Sequence, residues 1–384
     1  MQNNLHLTDK IKIRYIIVFI TLILLLAIQS RSEGTNTAVR ANDLLLGADI
    51  SMLTQIEKYG GSFHENGKTD DCISILKKNG CNCFRLRLFV NPNYKDEVIN
   101  DLPYTLALAQ RIKNANMKLV LNLLYSDTRA DAGHQLKPAA WSNLDFSSLE
   151  KIVEEYTATT IKHFKESGSL PDIIQIGNDI TSGLLWPDGK LEGERSDYAQ
   201  WDRFSRLLKA GVRGARRHLD KTDKVRIILH VDCGADISTT KWFFDNINEQ
   251  NVPYDIIGLS YYPWKHGTME NLRLYLNKTG KAFGKDIIIV ETAYPYNEKL
   301  WVLEKINMDW PISEKGQKKF LSDLINTVST TTNNLGIGVL YWSPESIPVM
   351  GIDIWNNGAT ALFDAKGNAL PALKAFNPKS NQHQ

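Results

Sequence analysis

From residue 44 onward the chain alternates, eight times over, between a short apolar run and a longer amphipathic stretch. The runs are Leu44–Ile50, Asn82–Val90, Lys118–Leu124, Ile173–Ile176, Val225–Val231, Ile256–Tyr261, Ile287–Val290 and Ile337–Trp342. Between them Asp70–Asn79, Leu102–Asn116, Ser147–Ser167, Asp197–Leu219, Thr239–Gln250, Met269–Phe283 and Glu314–Thr331 carry apolar residues at helical spacing. Strands separated by helices imply a parallel sheet, because parallel neighbours need a crossover rather than a hairpin. Nearly continuous apolar runs imply strands covered on both faces. Eight such units over ~330 residues match a (β/α)8 TIM barrel, which needs ~250 residues plus loop insertions. The competing arrangement is an open doubly wound sheet. It is disfavoured because no glycine-rich phosphate turn follows the first run. Residues 44–376 therefore read as one α/β domain, and the polar segment 377–384 reads as a frayed tail.

The first 32 residues read as a leader. Lys10, Lys12 and Arg14 precede an apolar run from Tyr15 to Ile28 that only Thr21 interrupts. A basic start and ~14 apolar residues fit a secretory signal peptide and are short for a membrane span. The small-x-small cleavage pattern is weak around Ala27–Ser32, which keeps an uncleaved anchor open. Residues 33–43 then form a linker. The expectation is a secreted, periplasmic or cell-surface monomer that touches a membrane only if the leader stays. The whole chain has 45 basic and 43 acidic residues; Lys10, Lys12, Arg14, Arg31 and Asp9 leave with the leader, so the remainder carries −1. Near-neutrality argues against a nucleic-acid partner. Four cysteines in 384 residues exclude a disulfide scaffold. In an exported chain two of Cys72, Cys81, Cys83 and Cys233 could pair, but their positions favour buried free thiols, and no Cys/His spacing suggests zinc.

In a barrel of this kind the C-terminal strand ends carry the chemistry. Read in order, those ends offer Asp49; Arg85, Arg87 and Asn91; Tyr125 and Asp127; Asn178 and Asp179; His230 and Asp232; Tyr261, Tyr262 and Trp264; Glu291; and Trp342. Any one of these taken alone reads better as a cap or a solvated loop residue. Eight ends with polar or aromatic groups fit sugar binding, where rings stack on pyranose C–H faces and Asp, Asn and Arg bond hydroxyls. All nine Trp lie beyond residue 140. Trp186, Trp264 and Trp342 follow strand ends and are candidate platforms; Trp201, Trp242, Trp301, Trp310 and Trp355 read as packing or loop residues. Asp179 and Glu291 stand out as a carboxylate pair, since ends of the fourth and seventh strands face each other across a barrel mouth.

Nine segments together resemble glycoside hydrolase family 53, the arabinogalactan endo-β-1,4-galactanases. They are Gly47-Ala-Asp-Ile-Ser51, Arg85-Leu-Arg-Leu-Phe-Val-Asn-Pro92, Tyr125-Ser-Asp127, Lys137-Pro-Ala-Ala-Trp141, Gln175-Ile-Gly-Asn178, Gly183-Leu-Leu-Trp-Pro-Asp-Gly189, Gly258-Leu-Ser-Tyr-Tyr-Pro-Trp264, Glu291-Thr-Ala-Tyr-Pro-Tyr296 and Ala361-Leu-Phe-Asp364. The resemblance implies a retaining barrel of clan A that cleaves β-1,4-galactan of pectic arabinogalactan. It implies an acid/base after the Asn ending the fourth strand and a nucleophile ending the seventh, here Asp179 and Glu291. The chain also departs from the family. Asp179 stands where the family carries Glu, and its shorter side chain sets the carboxyl back by about 1.5 Å. Leu124 and Arg129 replace a subsite His and a Trp, and Ser343 stands where Glu is common. The loop after Glu291 lacks the pattern with which some relatives bind calcium, so no metal and no other cofactor are expected.

The roles expected are Glu291 as nucleophile, kept ionised by a nearby Arg taken to be Arg87, and Asp179 as acid/base. Asn178 would bond the sugar 2-hydroxyl, and Trp342, Trp264, Trp186 and Tyr125 would be platforms. Asp49 would bond a hydroxyl or orient Arg87. Arg87, Asn91, Asp127, Tyr261 and Tyr262 complete the substrate set. Two alternatives remain from the sequence: an inactive barrel that binds glycan, and a hydrolase with another β-glycan specificity.

Overall fold

The structure, a computed structural model, describes residues 44–299, 301 and 309–377. The leader, the linker and the tail beyond residue 377 lie outside the described residues. Among the described residues, eight parallel strands close into a barrel. They are β1 Leu45–Asp49, β2 Cys83–Leu88, β3 Lys118–Leu123, β4 Ile173–Ile176, β5 Arg226–Val231, β6 Ile256–Ser260, β7 Asp286–Glu291 and β8 Gly336–Trp342. Each pairs with its sequence neighbours, and β8 pairs with β1 to close the ring. The expected (β/α)8 barrel is thus the observed one, and an open sheet is excluded.

The crossover helices are α1 Cys72–Lys78, α2 Leu102–Asn114, α3 Phe146–Glu166, α4 Tyr198–Arg217, α5 Ile237–Glu249, α6 Met269–Phe283 and α7 Glu314–Ser329. Their starts follow from local chemistry. Asp71, Asp101, Asp145, Asp197, Asp236, Thr268 and Ser313 each accept a hydrogen bond from a first-turn backbone N–H that the helix leaves unpaired. A six-residue helix, Leu53–Lys58, and two small hairpins decorate the loops. Cys72, Cys81, Cys83 and Cys233 are all unpaired, the first three buried.

The barrel interior is layered. Leu45, Cys83, Val120, Ile173, Ile228, Ile256, Ile288 and Leu340 belong to one buried apolar cluster inside it. Side chains on a strand return to the same face every second residue. Two residues on therefore come Gly47, Arg85, Asn122, Gln175, His230, Gly258, Val290 and Trp342. Arg85, Asn122, Gln175 and His230 are fully buried. A polar layer thus rests on an apolar plug, just below the mouth.

Candidate active site

Arg85 is the hub of that polar layer. Its Nη1 lies 3.1 Å from Asp49 Oδ2 and 2.9 Å from Glu291 Oε1. Its Nε donates to Gln175 Oε1 at 3.1 Å and its Nη2 to Asn178 Oδ1 at 2.7 Å. Strand register explains the grouping, because Asp49 is level with both Trp342 and Arg85. Asn122 also donates to Asn178 Oδ1, at 3.0 Å, while Asn178 Nδ2 donates to the Ala130 carbonyl. The Asn178 oxygen is therefore saturated, and the amide is locked in one orientation.

Glu291 closes β7 and is only 5% exposed. Its Oε2 accepts from the Tyr262 hydroxyl at 3.3 Å. Burial lifts its carboxyl above the ordinary range, and the Arg85 guanidinium opposes that lift by favouring the charge. Asp179 follows β4 through Gly177 and takes a left-handed backbone, with φ of 75° and 47° at the two residues. Such a conformation costs a non-glycine residue on the order of 1 kcal/mol and persists where neighbours impose it. The neighbour here is Gln135, whose side-chain amide donates to the Asn178 and Asp179 carbonyls at 2.6 and 3.3 Å. Burial lifts the Asp179 carboxyl well above its usual value, and the charges of Glu291 and Asp232 lift it further. Of the two acids, Asp179 has no direct guanidinium partner and Glu291 has one. Burial thus favours the neutral form of Asp179, while the guanidinium favours charge on Glu291.

Both open into a cavity of about 710 Å³. The structure brings Arg87, Asn178, Asp179, Tyr262, Trp264, Glu291 and Trp342 onto this cavity, seven of the residues singled out from the sequence. Tyr262, Trp264 and Trp355 form an aromatic wall, with ring centroids 5.1 Å apart for the first pair and 6.4 Å for the second. Arg87 sits 4.6 Å from the Trp342 ring centroid, and Glu97 approaches its Nη1 at 3.5 Å. Arg87 Nε and Nη2 are buried without a hydrogen-bond partner. Leu124 and Arg129 line the cavity as well; Arg129 is 72% exposed and lies 3.6 Å from Asp131.

Six sequence expectations lie elsewhere. Tyr125 turns left-handed after β3 and is buried under α3, where its hydroxyl meets Thr157 Oγ1 at 2.8 Å. Tyr261 is fully buried, stacked on Phe320, and its hydroxyl donates to the Gly267 carbonyl. Trp186 packs within its own loop, donating to the Ser182 carbonyl under the Lys190 ammonium. Asn91 is exposed off the cavity, and the Asp127 carboxylate accepts from the backbone N–H groups of Asn91 and Ala139. That makes Asp127 a clasp between two loops. Asp49 is fully buried below the cavity and binds Arg85 and the Ser51 hydroxyl, so it orients arginines rather than touching a ligand. The arginine beside Glu291 is likewise Arg85, with Arg87 one layer higher. Trp355, Glu97 and Gln135 come from loops without periodicity, and the sequence carries no signal for them. His230 is among the strand ends read from the sequence, and Ser260 lies four residues beyond Ile256 on the same face of its strand.

One buried acid stands apart. Glu345 is fully buried, with Oε1 accepting from the Met52 N–H at 3.0 Å and Oε2 unpartnered. Burial pushes its carboxyl up to about 8. Such a group keeps its proton in the folded state while the unfolded chain releases it, so stability falls as pH rises from ~4.3 toward 8. Glu345→Gln removes this dependence. Its melting temperature is expected to exceed that of the parent by several degrees near pH 8 and to match it below about pH 4.3. A thermal-melt series across pH checks this; equal differences at all pH values would contradict it.

The comparisons agree with this geometry. The family model of glycosyl hydrolase family 53 matches residues 45–376. An uncharacterized protein in the bgaB 5' region of Niallia circulans is 37% identical, covering 86% of this chain and 93% of that one. The arabinogalactan endo-β-1,4-galactanase of Cellvibrio japonicus is 31% identical, covering 93% of this chain and 95% of that one. The solved catalytic domain of Ignisphaera aggregans, described as GH53, superposes with a TM-score of 0.78 at 31% identity, covering 87% of this chain and 96% of that one. With barrel, cavity and family match in agreement over the same residues, the chain belongs to glycosyl hydrolase family 53 and is a galactanase-like glycoside hydrolase.

Proposed function

We propose that the protein is exported by its leader and cleaves β-1,4-galactan of pectic arabinogalactan internally, with retention of configuration, using Glu291 as nucleophile and Asp179 as acid/base. The observation that carries this is the unequal environment of two carboxyls on one cavity, a buried Glu291 with Arg85 beside it and a half-buried Asp179 with no guanidinium. In the first step Asp179 gives its proton to the glycosidic oxygen as that bond breaks, and Glu291 bonds the anomeric carbon. In the second step Asp179 takes a proton from water, whose oxygen displaces Glu291. Tyr262, Trp264, Trp355 and Trp342 offer ring faces to the pyranoses, and the unpartnered Arg87 Nη2 offers a donor to a hydroxyl. The names of the relatives support galactan as the substrate class.

The assay is reducing-sugar release from galactan, with Glu291→Ala as control. Activity surviving in that control would sink the nucleophile assignment. A second reading, a barrel that binds glycan without cutting it, is favoured by Asp179 standing where the family carries Glu. Asp179→Glu discriminates. A misplacement of about 1 Å costs on the order of 10²-fold, so restoring the reach should raise kcat on galactan by up to that factor. If neither form cleaves and both are retarded in a galactan affinity gel, the binding reading stands.

A further inference from the structure

His230 grips Asp179 at both ends. The backbone N–H of Asp179 donates to His230 Nδ1 at 3.3 Å, and His230 Nε2 lies 3.3 Å from Asp179 Oδ1. Ser260 sits between them, 2.9 Å from His230 Nε2 and 3.2 Å from Asp179 Oδ1. The contacts settle which ring nitrogen carries the proton. A backbone N–H can only donate, so Nδ1 accepts from Asp179. Gln175 Nε2 also approaches Nδ1, at 3.2 Å, and its amide orientation is set by Arg85 donating to its oxygen. The competing acceptor, Asn178 Oδ1 at 3.1 Å, already receives Arg85, Asn122 and Gln175. Nε2 therefore bears the hydrogen. It donates to Ser260 Oγ, and the Ser260 hydroxyl donates to Asp179 Oδ1.

We infer that His230 and Ser260 are positioning residues that occupy Asp179 Oδ1 with a donor, so that the catalytic proton of Asp179 is carried by Oδ2, the oxygen left free of that chain. This rests on Asp179 being the acid/base. The arrangement needs a neutral ring, because an imidazolium would lose the acceptor at Nδ1. Burial and the Arg85 charge both hold His230 uncharged, well below its ordinary range. The charged and titratable groups around the pair are Arg85 on β2, Asp232 after β5, Tyr262 and Lys265 after β6, and Glu291 on β7. A short acid has one fewer rotatable bond to find its target, so a fixed carboxyl plane matters more for Asp179 than for a longer Glu.

Two measurements test it. The first reads the ring directly and needs no turnover. In nitrogen-15 NMR of the whole protein, His230 should show a protonated Nε2 and a bare Nδ1, unchanged down to about pH 5. A protonated Nδ1, or an imidazolium in that range, would overturn the inference. The second is Ser260→Ala, assayed on galactan and on a dinitrophenyl β-galactoside whose leaving group needs no proton. Loss of acid positioning should lower kcat/KM on galactan by about 10²-fold and leave kcat/KM for the activated substrate, which reports only the first step, within about 2-fold. Equal losses on both substrates, or no loss on either, would sink it. His230→Gln, which keeps a donor near Nε2, should lose less on galactan than His230→Leu. If the unaltered protein cleaves neither substrate, the hydrolase reading fails, while the NMR result still decides the arrangement of His230.

Discussion

Glu291→Gln is expected to lower galactan hydrolysis by at least about 10⁴-fold while leaving the protein folded. The amide has the shape of the carboxylate but cannot bond the anomeric carbon. The fold should tolerate it because Arg85 keeps Asp49, at 3.1 Å, as a counter-ion. In the parent, one guanidinium serves two buried carboxylates, and burial already lifts Glu291 above the ordinary range. Removing that charge relieves a desolvation cost, so the melting temperature should hold or rise at neutral pH. The smaller Glu291→Ala variant adds a second reading. It leaves room beside Arg85 for an azide anion, which should attack an activated aryl β-galactoside from the face Glu291 used. The product expected is the α-configured galactosyl azide. A β-configured azide, or a Gln variant within ten-fold of the parent, would remove Glu291 from the nucleophile's place.

The barrel was legible because its strands are covered on both faces and so read as unbroken apolar runs. All eight runs overlap an observed strand, and Ile173–Ile176 coincides with β4. The carboxylate pair was legible because a lone charge ending an apolar strand has few other uses. What escaped was depth within the barrel. Arg85 and Arg87 share a face, and only the register of β1 against β2 places Arg85 level with Asp49. The aromatic pairs failed for a related reason. Tyr261 and Tyr262 are neighbours with opposite directions, one into the shell against Phe320 and one onto Glu291. A left-handed turn at Tyr125 sends its ring under α3, and no pattern in the residue types around it announces that turn. Trp355 reaches the cavity from a loop after β8, where periodicity gives no guidance.

The second large effect is expected at Arg85, and it joins stability to catalysis. Arg85→Met removes the cation from a fully buried site and leaves Asp49 and Glu291 facing each other without it. Breaking a buried ion pair by deleting one partner costs about 3–5 kcal/mol, because the remaining charge stays desolvated. Gln175 and Asn178 also lose the donors that hold them, at 3.1 and 2.7 Å. The protein has a route to lower that cost, which is to protonate Glu291. Its carboxyl, already raised by burial, then rises further for want of the opposing guanidinium. The nucleophile works only ionised, so the acid limb of the kcat/KM profile should move to higher pH and activity near neutrality should fall by on the order of 10²-fold or more. Denaturant melts and pH profiles of Arg85→Met check the two halves. The double variant Arg85→Met with Glu291→Gln completes the cycle: it should recover part of the lost stability, because one of the stranded charges is gone. A stability loss with an unmoved acid limb would make Arg85 a strut of the barrel alone. An additive double variant would show that its charge and that of Glu291 are not coupled.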